Sequence, residues 1–185
     1  MLRHILPSIN RRYATIAPLI KIGDKIPNTP LREASPFNQV NAFDALKLYK
    51  KVLILGSPGA FNPLDSRSQI PCYLDHMHDL ASHGVDMLAF ISVNDPFVTK
   101  AWEESFNVDN SKVRFLADPQ GEFVSSIGLE QQSKEGTQIF SKRFAMILEE
   151  GKVKQLFVEP ENGLTCSYPS SILHNLSHPE FTRNP

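Results

Sequence analysis

Hydrophobic positions in the middle of the chain form two kinds of pattern. Residues 52–56 (VLILG) and 86–93 (DMLAFISV) are apolar runs bounded by turn residues, which predicts buried strands. Between them, apolar residues from Ile70 to Ala81 recur every three or four positions, so residues 64–83 are predicted to form an amphipathic helix with a kink at Pro71. This strand, helix, strand order predicts a parallel sheet.

The remaining elements follow from the same patterns. Asn94-Asp95-Pro96 is a capping signal, and it predicts a helix over 96–106. We expect an irregular segment with one short strand over 24–45, because it contains three prolines. Further predictions are a strand at 113–118, a short helix at 122–128, two strands within 143–159 joined at Glu150-Gly151, and a closing helix at 170–176.

Composition and charge exclude some classes of function. The 185 residues are 41% hydrophobic, with a formal net charge of -1 and a pI near 6.6. This charge provides no basic field for a nucleic acid. No apolar run approaches the roughly 18 to 20 residues that span a bilayer. We therefore expect one domain, over residues 14–185, with no nucleic-acid partner and no membrane-embedded segment.

The N-terminal residues resemble a mitochondrial presequence. Three arginines and one lysine occur before the first acidic residue, Asp24, and such a basic, acid-free segment is typical of import signals. Arg12-Tyr13-Ala14 resembles a matrix-protease site, so residues 1–13 are the predicted presequence and the matrix is the predicted location. Cleavage after Tyr13 would remove three arginines and change the formal charge from -1 to -4. The alternative is a disordered basic terminus.

The chain contains two cysteines, Cys72 and Cys166. They are too few for a disulfide framework and show neither CxxC nor zinc-site spacing. A reducing compartment is consistent with this usage.

Several sequence strings together resemble the atypical two-cysteine peroxiredoxins of the type-five group. The resemblance extends over about 20–176 and implies an α/β, thioredoxin-like fold with a central mixed sheet flanked by helices. It also implies a homodimer, thioredoxin or glutathione as reductant, and no cofactor. The strings are PGAF at 58–61, SVND and FVT within 92–99, LADPQG at 116–121, KRFAM at 142–146 and VEPENGLTCS at 158–167.

The resemblance implies roles for four positions. Asp65 stands where the family has its peroxidatic cysteine, and Asn62 stands where it has a threonine. Arg143 matches the arginine that stabilises the thiolate and helps to bind peroxide, and Cys166 matches the resolving cysteine. The family has glycine at the position of Cys72, so the resemblance assigns that thiol no role.

The substitution at Asp65 changes the expected chemistry. A carboxylate is already negative at neutral pH and can accept bonds from first-turn amides and an arginine, but it cannot become a sulfenic acid. Our hypothesis is that Asp65 and Arg143 form an ion pair that locks the first helical turn. We therefore expect a peroxiredoxin-like mitochondrial protein without standard thiol peroxidase activity, acting in binding, assembly or redox sensing.

Other functions stay open at this point. The protein could instead reduce hydroperoxides with thioredoxin or glutathione through Cys72 or Cys166, or hold another mitochondrial protein on the family's dimerisation surface near PGAF and SVNDPFV. His76, Asp79 and His83 share one helical face and could bind a metal or form a solvated polar face. An aspartyl nucleophile at Asp65 would lack the second aspartate that such sites use two residues later.

Overall fold

The computed structural model describes residues 17–133, 135–160 and 163–178. The predicted presequence 1–13 and its cleavage site after Tyr13 lie outside these ranges, so both stay predictions.

A mixed seven-stranded sheet forms the centre of the molecule. Its strand order is β2-β1-β5-β4-β3-β8-β9, and β6 and β7 form a separate two-stranded sheet. Strands β3, β4 and β5 are parallel, whereas β8 runs antiparallel to β3 and β9 antiparallel to β8. The strands are β1 (Pro30–Glu33), β2 (Ser35–Asn41), β3 (Lys51–Ser57), β4 (Met87–Ser92), β5 (Val113–Ala117), β6 (Glu130–Gln132), β7 (Ile139–Ser141), β8 (Phe144–Glu149) and β9 (Lys152–Val158).

Helices cover both faces of this sheet. A π-helical segment, Asp65–Gln69, directly precedes α2. The α-helices are α1 (Ala42–Leu46), α2 (Ile70–Asp75), α3 (Met77–Ser82), α4 (Pro96–Glu104), α5 (Glu122–Ser126) and α6 (Pro169–Ser177). The predicted fold class, a thioredoxin-like α/β fold with a central mixed sheet flanked by helices, is confirmed.

Alternate residues of the central strands enter two separate hydrophobic cores, as the period of a strand requires. Val52 and Ile54 of β3 pack into one core with α1 and α5. Leu53 and Leu55 pack into the other with α2, α3, α4 and α6. Because both faces are covered, the central strands are apolar throughout, which is why their sequence pattern was a run rather than an alternation.

The N-terminal part of the domain is more regular than the sequence predicted. Residues 24–45 contain the antiparallel pair β1 and β2 followed by α1, not an irregular segment with one short strand. Strand β2 lies at the edge of the sheet, and most of its residues are exposed. An exposed edge strand needs no apolar run, so the hydrophobic pattern did not reveal it. The pair β6 and β7 was not predicted either.

The predicted helix over 64–83 is present in three pieces. The N–H of Ile70 bonds to the carbonyl of Asp65, which is the wider π-helical spacing. Pro71 follows at once and has no N–H to donate, so a change of helical geometry occurs near the predicted kink. A second interruption, which was not predicted, lies at His76, where ψ is 14°.

No helix within the described ranges combines the length and apolar character that crossing a bilayer requires.

Candidate functional site

The candidate site lies where β3 ends and the PGAF turn leads into the π-helical segment. Asp65 is the first residue of that segment. Gly56 of β3 pairs with Phe144 of β8, so Arg143, one residue before β8, emerges beside the end of β3. Gly56 is needed here because the Phe144 ring occupies the space that a side chain at position 56 would take. The sheet register therefore brings Asp65 and Arg143 together, although they are far apart in sequence.

Asp65 and Arg143 form a buried, two-pronged ion pair. Arg143 Nε donates to Asp65 Oδ1 at 2.7 Å, and Arg143 Nη2 donates to Oδ2 at 2.9 Å. The side chains are 0% and 2% exposed respectively. Parallel N–H donation from a planar guanidinium to a carboxylate is the strongest geometry for such a pair. The ion pair expected from the sequence is thus present, while the catalytic roles implied by the resemblance stay predictions.

The other donor to the carboxylate is Ser57, at the end of β3. Its hydroxyl donates to Asp65 Oδ2 at 2.9 Å and also lies 3.0 Å from the carbonyl of Gly59. A carboxylate here could also accept from first-turn amides, but its donors within the described residues are the side chains of Ser57 and Arg143. The nearby amides are used elsewhere: the N–H of Ser66 bonds to the carbonyl of Asn62 at 2.8 Å.

Asn62 shapes the turn and is not bonded to the Asp65 carboxylate. Its Oδ1 accepts from the backbone N–H of Leu64 at 3.0 Å. This is the short-range bond by which an asparagine typically stabilises the start of a helix.

Arg143 also reaches the loop that carries Cys166. Its Nη1 donates to the carbonyl of Gly163 at 2.8 Å. One guanidinium therefore connects the start of the helix, through Asp65, with the loop after β9.

Glu159, directly after β9, holds the part of that loop on either side of Cys166. Its carboxylate accepts from the backbone N–H and the hydroxyl of both Thr165 and Ser167, at 2.6 to 2.8 Å. Burial alone would raise the pKa of Glu159, but these hydrogen bonds outweigh it and lower the pKa from 4.5 to about 2. The Ser167 carbonyl in turn accepts from Tyr73 Oη at 2.8 Å and from Gln69 Nε2 at 3.2 Å, so the loop is attached to α2 and the residue before it.

Cys166 lies in this fixed loop and is half-buried. Burial, followed by the adjacent Glu159 carboxylate, raises the pKa of the Cys166 thiol. A thiol beside a carboxylate is a poor nucleophile, because ionisation would place two negative charges together. Cys72 lies in α2, and no hydrogen bond within the described part of the chain joins it to Asp65 or Arg143.

Trp102, the single tryptophan of the chain, packs directly behind the site. Its indole N–H donates to the hydroxyl of Ser66 at 2.9 Å, and the ring is fully buried in α4. Phe61 of the PGAF turn lies over it with 6.5 Å between ring centroids.

The metal alternative is not supported. Among the described residues, no group of three or more His, Cys, Asp or Glu side chains is placed to hold a metal ion. His83 instead contacts the carbonyl of Asp79 through Nδ1 and the hydroxyl of Ser177 through Nε2, at 2.8 and 3.0 Å.

Sequence reasoning missed Ser57, Gly163 and Glu159. Ser57 ends a buried strand directly before the turn, which indicates that it lies near the site, but the direction of its side chain needed the structure. Glu159 and Gly163 act only through the conformation of the loop after β9, for which the sequence carries no periodic pattern.

The arrangement is a buried carboxylate that is paired with an arginine and accepts three hydrogen bonds. Both Asp65 oxygens are hydrogen-bonded and neither is exposed, so the carboxylate is poorly placed to attack a substrate. The guanidinium that could hold an anionic or polar ligand is already paired.

Comparison with known proteins identifies the family. A family model described as Redoxin matches residues 21–171. Peroxiredoxin-2B of Arabidopsis thaliana is 36% identical over 160 residues, which cover 85% of this chain and 98% of that protein. Peroxiredoxin-2E, chloroplastic, of the same plant is 32% identical over 174 residues, covering 90% of this chain and 74% of that protein.

Solved structures agree with this assignment. The crystal structure of reduced Prx3 from Vibrio vulnificus has a TM-score of 0.78 at 34% identity, covering 86% of this chain and all of that one. Peroxiredoxin 5 from Alvinella pompejana has a TM-score of 0.74 at 29% identity, covering 85% of this chain and 98% of that one. The match to the family model and the similarity to relatives over 74 to 98% of their length place the chain in the redoxin family, as a homologue of the peroxiredoxins.

Proposed function

We propose that this peroxiredoxin homologue works in the mitochondrial matrix without the standard cysteine-dependent peroxidase reaction, through binding, assembly or redox sensing. The observation that carries the proposal is the buried Asp65–Arg143 pair at the start of the helix. In an atypical two-cysteine peroxiredoxin of the type-five group, which the sequence resembles, the position of Asp65 holds the attacking thiolate.

The difference between a carboxylate and a thiolate supports this proposal. A thiolate attacks one oxygen of hydrogen peroxide, an S–O bond forms, the O–O bond breaks, hydroxide leaves, and the sulfur becomes a sulfenic acid. A carboxylate cannot perform this step. The arginine that would orient the peroxide is held by both oxygens of Asp65. Neither the nucleophile nor a free guanidinium is therefore available for the first step of that cycle.

The ion pair also resists the movement that the full cycle requires. A resolving cysteine meets the oxidised thiol only after the first helical turn unwinds. Here Asp65 fixes that turn to Arg143, and Arg143 is bonded to Gly163 in the loop of Cys166. The pair thus favours the folded turn and a fixed loop.

Peroxide kinetics test the proposal. In stopped-flow measurements with hydrogen peroxide, we expect the wild-type rate constant to be no higher than that of free cysteine, and Asp65→Cys to restore fast oxidation because Arg143 and Cys166 remain. Asp65→Ser is the matched control, since it removes the ion pair without supplying sulfur. If the restored thiol stays slow in a folded protein, Asn62→Thr is added, because the family has threonine there. Fast peroxide turnover by the wild-type chain would contradict the proposal.

A peroxidase that uses thioredoxin or glutathione as reductant is the second candidate. It is supported by the names of the two Arabidopsis thaliana relatives, which are both peroxiredoxins, and by the half-buried state of both thiols, which leaves each partly accessible. This activity would be lost in Cys72→Ser or Cys166→Ser, whereas the first proposal expects neither substitution to change peroxide consumption.

A binding role requires an exposed surface, and several exposed apolar side chains lie in the segments beside the site. Phe61, Leu64, Phe97 and Val98 are 37 to 59% exposed, and the N–H of Ala60 bonds to Asn94 Oδ1 at 2.7 Å, which holds the PGAF turn against the segment before α4. Affinity purification of the tagged protein from mitochondria, compared with a Phe97→Glu variant, tests whether this surface holds a partner protein.

The location is tested separately. Incubation of the full chain with isolated mitochondria should yield a protease-protected product that begins at Ala14. A chain in which Arg11 and Arg12 are replaced by alanine is the control, and import of both chains at the same rate would argue against a presequence.

A further inference from the structure

A second cavity lies at the carboxyl ends of β4 and β5, and its lining includes neither Asp65 nor Arg143. Helix α4, which follows β4, packs into one hydrophobic core through Trp102, whereas α5, which follows β5, packs into the other through Phe123 and Val124. The two connections therefore leave the sheet toward opposite faces. A crevice between parallel strands whose connections diverge in this way is the usual position of a ligand site in an α/β sheet.

The sheet register brings charged residues of opposite sign into this cavity. Arg32 of β1 pairs with Ala117, the last residue of β5, and Asp118 follows directly. The N–H of Asp118 donates to the carbonyl of Ser92 at 2.9 Å, which fixes Asp118 beside the end of β4. The cavity has a volume of about 290 Å³, and four prolines form much of its wall. Its charged lining residues are Arg32, Asp95, Asp118 and Glu122.

Asp118 is buried and has one unbonded carboxylate oxygen. It is 1% exposed and forms part of the cavity wall. Its Oδ2 accepts from the N–H of Val124 at 3.0 Å, whereas its Oδ1 has no hydrogen-bond partner among the described residues. A buried polar atom without a partner costs free energy. A ligand that supplied an N–H to this carboxylate would recover that cost.

Arg32 provides a positive charge in the same cavity. Its Nη1 donates to the carbonyl of Leu31 at 3.2 Å, and within the described ranges its guanidinium forms no ion pair with a carboxylate. Charges of both signs therefore line one cavity without pairing with each other. One positive and three negative side chains give the lining a formal net charge of -2. Asp95 is already used in part, because it caps α4 through the N–H of Phe97.

These charges define the chemistry of a ligand. The three carboxylates do not form a metal site, because no group of three or more potential ligands is placed to hold a metal ion in the part of the chain that the structure describes. The ligand instead needs N–H donors for the carboxylates, an acceptor for Arg32 and a net positive charge. A basic amino acid combines these three properties, and the proline rings offer rigid apolar walls for its methylene chain.

We propose that this cavity binds a basic amino acid, with its cationic N–H groups toward Asp118 and Glu122 and its carboxylate paired with Arg32. Pairing of a guanidinium with a carboxylate is among the strongest hydrogen-bonded contacts. This binding goes beyond the proposed function and does not depend on Asp65. Loss of either one would therefore leave the other intact.

Isothermal titration calorimetry on the full chain at pH 7 and low salt tests the site, with L-arginine as the probe. We expect one molecule of L-arginine to bind per chain. Agmatine, which lacks the carboxylate, and L-citrulline, which replaces the guanidinium by an uncharged group, should each bind about tenfold more weakly. Absence of saturable binding of L-arginine at millimolar concentration, or equal binding of the three compounds, would overturn the proposal.

Variants identify the residues that hold each end of the ligand. Arg32→Gln should weaken binding of L-arginine about tenfold and leave agmatine unchanged, because only L-arginine has a carboxylate. Glu122→Gln and Asp118→Asn should weaken both compounds, and the new amide oxygen at position 118 can still accept from Val124. Arg67→Gln is the matched control, since Arg67 is an exposed arginine outside the cavity lining. Unchanged affinity for L-arginine in Arg32→Gln, or an equal loss in Arg67→Gln, would overturn the proposal.

Discussion

Asp65 and Arg143 illustrate how a buried charged pair acts at the scale of single residues. Removing two charges from water costs several kcal/mol, and their mutual attraction only roughly offsets this cost. The pair therefore contributes little to net stability, yet removing one partner of a buried ion pair is strongly destabilising. Its main effect is to specify one position for the helical turn.

Asp65→Asn should destabilise the protein by about 3 kcal/mol, because it removes the charge of one partner from an ion pair whose side chains are 0% and 2% exposed. Urea denaturation measures this difference. Asp44→Asn is the matched control, since it breaks the exposed pair of Asp44 with Lys47 and should change the free energy of unfolding far less. Equal effects of the two substitutions would argue against an energetically important buried pair.

Glu159 should make stability depend on pH in an acidic window. Its pKa is lowered from 4.5 to about 2 in the folded protein, so the unfolded chain binds the proton more readily. The contribution of Glu159 to the free energy of unfolding is therefore complete above about pH 4.5 and is lost as the pH falls toward about 2.

Comparison of wild type with Glu159→Gln checks this prediction. The difference in stability between them should be constant near neutral pH and should shrink below about pH 4.5, whereas Glu150→Gln, in an exposed turn, should follow the wild type. A difference that does not change with pH would mean that the Glu159 charge is not what fixes the loop.

The site could be predicted only in part at this scale. The ion pair followed from two matched motifs, because each motif fixes the place of its residue in the fold. Ser57 as a donor depends on the side-chain direction at the end of β3, and the contacts of Glu159 depend on loop conformation. Neither is encoded in a local pattern, so both needed the structure.

At the scale of elements, the central strands were predictable because both of their faces are covered. Apolar runs marked β3, β4, β5 and β8, the turn at Glu150-Gly151 marked the hairpin to β9, and capping residues marked α4, where Asp95 accepts from the N–H of Phe97 at 2.8 Å. The edge strand β2 was missed because an exposed edge has no apolar requirement. The π-helical segment was missed because no local sequence pattern distinguishes it from an α-helix. Pro71 did predict a change of helical geometry close to it.

Replacing Asp65 with alanine should loosen the first helical turn. Amide exchange across residues 59–70 should become about tenfold faster, which corresponds to only about 1.4 kcal/mol in the free energy of local opening. Exchange in residues 163–167 should rise as well, because Arg143 also donates to Gly163. Residues of β4 and β5 are the internal control, and unchanged protection in 59–70 would mean that the pair does not lock the turn.

At the scale of the whole molecule, the exposed apolar side chains beside the site are the feature that indicates an interaction with another protein. Phe61 and Phe97 are 50% and 59% exposed, and the bond from the Ala60 N–H to Asn94 Oδ1 joins the two segments that carry them. Large exposed apolar side chains on neighbouring segments are typical of an interaction site. The family resemblance implies a dimer interface near the PGAF turn and the SVNDPFV segment, and both a second copy of the chain and another partner protein stay predictions for this surface.

The full chain should sediment as a dimer, and Phe97→Glu should sediment as a monomer, because a charge at the interface would have to be desolvated. Leu48→Glu is the control, since Leu48 is 76% exposed but follows α1, away from the PGAF turn. Analytical ultracentrifugation decides between the states. A wild-type chain that stays monomeric at high concentration would contradict the predicted dimer.

The contact between Trp102 and Ser66 gives the unmodified protein its own optical signal. The chain has a single indole, that of Trp102, and its N–H donates to the hydroxyl of Ser66, the residue after Asp65. Tryptophan fluorescence therefore reports on the packing of the first helical turn. Opening of the turn would admit water to the ring and shift the emission to longer wavelength. Binding of a partner over Phe61 could be titrated in the same way, without any attached dye.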